Sequence, residues 1–112
     1  MASQIISYRD HTGSRAYKFY KTTLFQGDHL MIGLNCLEPG QAQKVHDHGE
    51  QDKFYCVLEG EGEFTVGDEV QPAAAGAVVW APAGLPHGVR NRSHGRLVLL
   101  MGMAPPPDQE SH

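Results

Sequence analysis

No apolar run in this chain approaches the roughly 20 residues of a membrane-spanning helix, and the opening MASQIISYRD lacks the basic-then-apolar pattern of a secretory leader. The expectation is a cytoplasmic protein with no membrane partner. Basic clusters are missing as well. Nine Lys and Arg stand against thirteen Asp and Glu, a formal charge of −4, so nucleic acid is not an expected partner. Cysteine is scarce: Cys36 and Cys56 are isolated within apolar strand-like patterns, and neither has a second cysteine at metal-ligand spacing. That excludes a zinc ribbon or finger, and two small buried hydrophobes are expected rather than a disulfide. A helical period is absent too. With 112 residues, 40% of them hydrophobic and 20% charged, the chain reads as one ordinary soluble domain over residues 1–112.

What is present is a succession of eight to ten short strand signals, with turn residues every 8 to 12 positions. Strands are expected at residues 5–8 and 17–25, the second rich in aromatic and β-branched residues. Gln26-Gly27-Asp28 interrupts them, and an apolar run follows at 30–37. Its even positions, Leu30, Ile32, Leu34 and Cys36, should face the core, because Gly33 and Asn35 break the odd set. Further strands are expected at 42–48, 54–58, 64–66, 69–72, 77–81 and 97–101, with Pro72 marking an edge. The pattern is that of an all-β sandwich or barrel. Its core should span about residues 17–104, and the proline-rich tail 105–112 should be mobile.

Two stretches carry chemistry. In residues 40–60, GQAQKVHDHGEQDKFYCVLEG, His46 and His48 sit two apart on an expected strand and so share one face, as two ligands of one metal ion require. In residues 76–91, GAVVWAPAGLPHGVRN, a stiff loop with two prolines and a glycine delivers a third histidine, His87. His11 and His94 fall in polar turns and read as solvated.

These two stretches resemble the paired motifs of the cupin superfamily, over about residues 38–102. Gly76, Pro82, Gly84, His87 and Asn91 match the second motif with no position missing. Gly40, His46, His48 and Gly60 match the first, but Lys53 stands where the pattern has a glutamate. The resemblance implies a single-domain jelly-roll β-barrel. It also implies a divalent metal held by His46, His48 and His87. Three neutral imidazoles suit Fe, Zn, Ni or Cu better than Mg or Ca. Some cupin dioxygenases bind iron through three histidines alone, so loss of the carboxylate leaves redox chemistry open.

Lysine at this position conflicts with a metal. An ammonium about 5 Å from a dication is repelled by roughly 6–7 kcal/mol at an effective dielectric of 20. Lys53 can turn outward and pair with Asp52 or Glu50, lose its proton by desolvation, or bind an anionic ligand that bridges it to the metal. A bulge would instead bring Asp52 inward as a fourth ligand. The histidines can also persist around an empty site.

Two functions follow. One is a small metal-dependent enzyme of dioxygenase, isomerase or decarboxylase type acting on a small polar or anionic molecule, with Lys53 as substrate anchor or acid/base. The other is a non-catalytic module that binds a sugar or organic acid. A homodimer is expected in either case, with Phe19, Trp80 and the N-terminal strand as candidates to cover apolar outer surface.

Overall fold

The computed structural model describes residues 3–47 and 49–107. A 3₁₀ turn at Tyr8–His11 precedes nine strands: β1 (Tyr20–Gln26), β2 (Met31–Leu37), β3 (Ala42–His46), β4 (Asp52–Glu59), β5 (Glu61–Val66), β6 (Glu69–Ala74), β7 (Val78–Ala81), β8 (His87–Arg90) and β9 (Leu97–Ala104). They form a five-stranded sheet in the order β1-β2-β9-β4-β7 and a four-stranded sheet in the order β3-β8-β5-β6. Every pairing is antiparallel. The architecture is the expected all-β jelly roll. Among the described residues no helix is long and apolar enough to cross a membrane. Pro72 lies on β6, which ends its sheet, so its missing donor costs no ladder bond inside the sheet.

The core lies between the two sheets. Met31 and Leu37 of β2, Tyr55 and Val57 of β4, and Leu97, Leu99, Met101 and Met103 of β9 meet Phe64 of β5 and Val89 of β8. Turn glycines set the strand junctions. At Gly60, between β4 and β5, φ is +82° and a Cβ would lie 2.3 Å from the Arg96 carbonyl oxygen, so no other residue fits without moving the backbone. The motif glycines Gly76 and Gly84 also hold positive φ.

Two expectations need correction. Residues 5–8 form no strand; the segment leads into the 3₁₀ turn instead. There Tyr8 donates to Glu59 at 2.8 Å and packs with Tyr20, Leu24, Leu58 and Leu100 against Leu34, Cys36 and Val98. This second cluster explains the next correction. It is the odd face of β2, not the even one, that enters the main core with Met31 and Leu37. Both faces of β2 are covered, so alternation of apolar residues along it could not say which cover is the interior. At the start of the tail, Pro107 is buried and the Pro105 carbonyl accepts from Gln51 Nε2 at 3.0 Å, while residues 108–112 lie outside the described residues.

Cys36 and Cys56 lie on β2 and β4, opposite Val98 and Leu100 of the intervening β9. Burial pushes the Cys36 thiol up, which disfavours the reactive thiolate.

Candidate metal centre

His46 ends β3 and His87 begins β8, and the two are register partners across the sheet. Their ring centroids are 4.9 Å apart and the rings are tilted by 54°. Strict alternation would put Gln43 and His46, three residues apart, on opposite faces. A register irregularity between them brings Gln43 opposite Val89 and still sets His46 opposite His87. The loop ahead of β8 does the rest, since Leu85 N donates to Pro82 O at 3.2 Å and fixes the approach to His87.

Backbone carbonyls fix the tautomers. His46 Nδ1 lies 2.6 Å from Lys44 O, and His87 Nδ1 lies 3.2 Å from Leu85 O. A carbonyl can only accept, so each Nδ1 carries a hydrogen, and in a neutral ring the lone pair is then at Nε2. Backbone orientation of this kind is common behind metal-binding histidines. Burial lowers the His87 pKa, Lys53 and His46 lower it further, and the Leu85 carbonyl opposes them. The ring is thus kept in the neutral form that binds metals.

His48, the other half of the first-motif pair, lies outside the described residues. Among the described residues no group of three His, Cys, Asp or Glu is gathered to hold a metal. Of the three sequence candidates, the structure brings His46 and His87 together, and His48 rests on the sequence.

The register of β4 answers which of Asp52 and Lys53 turns inward. Lys53 alternates with Tyr55 and Val57 on the inner face, opposite Ala81 of β7 and Met103 of β9. Its side chain is 0% exposed, and its Nζ has no hydrogen-bond partner among the described residues. The ammonium lies 4.9 Å from the Tyr55 ring centroid, and the His87 ring lies 6.3 Å from the same centroid. Burial, with a smaller contribution from Lys21, holds the Lys53 pKa down to about 7. Asp52 is exposed on the opposite face, where Oδ1 accepts from Ala83 N at 2.9 Å. No bulge slips it inward, because β4 and β9 stay in register from Asp52 to Val57.

Some interior polar residues escaped the motif-based reading. Tyr55 donates its buried hydroxyl to Gln43, and burial raises its pKa. Asn35 is 1% exposed with neither amide atom partnered among the described residues. Asn91, by contrast, is structural: Nδ2 donates to Leu37 O at 2.8 Å and Gly95 O at 2.9 Å, and Oδ1 accepts from Ser93.

A model of the cupin domain family matches residues 33–103. An uncharacterised protein of Streptomyces coelicolor is 35% identical over 77 residues, which cover 69% of this chain and 71% of that one. A solved structure from Thermus thermophilus is similar at a TM-score of 0.90 and 42% identity, over 94% of this chain and 100% of that one. A predicted oxalate decarboxylase from Thermotoga maritima shares the fold, with a TM-score of 0.71 and 24% identity over 75% and 77% of the two chains.

Proposed function

The chain belongs to the cupin domain family, and from that premise we propose that it is a small metal-dependent enzyme acting on a small polar or anionic molecule. The observation that carries this reading is the His46–His87 pair, 4.9 Å apart with both Nδ1 atoms tied to backbone carbonyls. With His48 as the third, these residues would hold Fe, Zn, Ni or Cu. Neutral imidazoles fit such ions, and Lys53 is compatible with them because its pKa of about 7 makes the uncharged amine accessible. When bound, the ion would supply Lewis-acid or redox chemistry of the decarboxylase, isomerase or dioxygenase kind. The chain's own contribution is to keep the imidazoles oriented, and to present a buried amine that anchors an anionic substrate or moves a proton at Nζ.

The competing reading, a non-catalytic module for a sugar or organic acid, draws support from the buried Lys53 on the inner face, where the family pattern has a carboxylate. Metal analysis of protein purified without added metal separates the two. A stoichiometric redox metal supports the enzyme, and metal-free protein that binds small organic acids supports the module. His87→Ala should weaken Zn(II) binding about a hundredfold in calorimetric titration. Unchanged affinity would remove His87 from the ligand set.

A homodimer is proposed as well. Phe19 packs against the core and is taken up there, whereas Trp80 is 55% and Val78 71% exposed on edge strand β7. A second copy would cover this apolar edge. Sedimentation equilibrium should give a dimer for the wild type and a monomer for Trp80→Glu; a monomeric wild type at micromolar concentration would sink the idea.

A further inference from the structure

We propose that Lys53 takes up carbon dioxide as a carbamate, so that this lysine supplies the metal centre with a carboxylate. The inference rests on the metal-binding reading, which provides the counter-charge. It begins from a buried amine with no acid and no hydrogen-bond acceptor beside it among the described residues: Lys53 is 0% exposed, and its Nζ meets the face of the Tyr55 ring. A lysine kept as a structural cation needs an acid beside it. The adjacent acid, Asp52, is on the other face and engaged with Ala83.

The surroundings favour the neutral amine as a nucleophile. Burial and Lys21 hold its pKa down to about 7, so a large share of Nζ is unprotonated at neutral pH. Its register neighbours are the small Ala81 and the flexible Met103, side chains that offer the amine no charge or hydrogen bond. The Lys53 side chain reaches along β4 to flank the Tyr55 ring, and the His87 ring flanks that same ring. Nζ and the His87 ring thus share Tyr55 as a neighbour in the buried interior.

The step balances without an oxidant. The Nζ lone pair forms a bond to the carbon of CO₂, one C=O π pair moves onto oxygen, and one proton leaves nitrogen for water. The product is a carbamate carrying one negative charge. Buried alone, that charge would be unstable and CO₂ would be lost again. Beside a dication it is stabilised, so metal and CO₂ should bind cooperatively, each raising the affinity of the other by the same factor.

The test uses the chelator-stripped full chain, with Zn(II) as the probe ion, titrated in buffer freed of bicarbonate and in buffer containing ¹³C-bicarbonate. The expected result is a Zn(II) affinity at least tenfold higher with bicarbonate, together with a ¹³C carbamate resonance on a lysine that appears only when both are present. Lys53→Met and Lys53→Arg should lose the resonance and the bicarbonate effect, and Lys53→Glu should bind Zn(II) independently of bicarbonate. Wild-type affinity that ignores bicarbonate, with no carbamate signal, overturns the proposal and leaves the metal reading standing. A bicarbonate effect that persists in Lys53→Met also overturns it, since the ion is then binding the metal directly. Failure of both wild type and Lys53→Glu to bind Zn(II) overturns the metal reading and the carbamate with it.

Discussion

Lys53→Glu protein, stripped with chelator and titrated in bicarbonate-free buffer, should bind Zn(II) on the order of a thousandfold more tightly than the wild type. The substitution removes a cation from the inner face and places a carboxylate there. Removing the cation alone relieves a repulsion of at most ~6–7 kcal/mol at 5 Å and an effective dielectric of 20. The wild type avoids part of that by deprotonating, since its amine needs little more than neutral pH to lose its charge. A gain of several kcal/mol is what remains. Lys53→Met relieves the repulsion without adding a ligand, and its affinity should fall between the other two. Asp52→Asn should leave affinity unchanged, because Asp52 faces solvent and Ala83. Equal affinities for Lys53, Met and Glu proteins would mean that position 53 takes no part in the site.

Lys53→Met should also make the metal-free protein more stable at neutral pH, by on the order of 4 kcal/mol. The folded-state pKa of Lys53 is about 7 against 10.5 in the unfolded chain. Between those values the unfolded state binds more protons than the native state, so wild-type stability rises as pH climbs from 7 towards 10. Below pH 7 both states are protonated and the native state bears the full cost of a buried ammonium. Methionine has similar length and no charge, so its advantage is widest at or below pH 7 and narrows to a packing difference near pH 10. Urea denaturation of both proteins at pH 6, 8 and 10 measures this gap directly. A gap that stays constant across the series would show that Lys53 titrates alike in both states.

The two predictions depend on a detail that the amino-acid sequence left open. Both alternating sets of β4 are apolar beyond its first residues: Tyr55 and Val57 on one side, Phe54, Cys56 and Leu58 on the other. Hydrophobic parity therefore could not decide between Asp52 and Lys53; the ladder with β9 does. The same ambiguity inverted the reading of β2, whose even face lies under Tyr8 and Tyr20 while its odd face enters the core. Turn chemistry was more legible. Glycines that take positive φ, such as Gly60 and Gly76, punctuate the strands where the sequence places breaks, and the all-β class follows from their spacing. The start of the chain was misread because Ile5 to Tyr8 is apolar enough for a strand, yet no neighbouring edge pairs with it. His46 and His87 were found through motif spacing. Their mutual orientation comes from the irregularity in β3, which no composition pattern announces.

The position of β9 bears on how this protein is made. It lies in the middle of the larger sheet between β2 and β4, although it is the last of the described strands to be synthesised. Until residues 97–104 emerge, β2 and β4 present open edges with no partner between them, and Lys53 lacks the Met103 rung that seats it. Domain closure is thus a late event that joins distant parts of the chain, which slows folding in β proteins. A nascent chain stalled before Leu97 would expose edges able to pair with other chains, making it a client for chaperones and prone to aggregation.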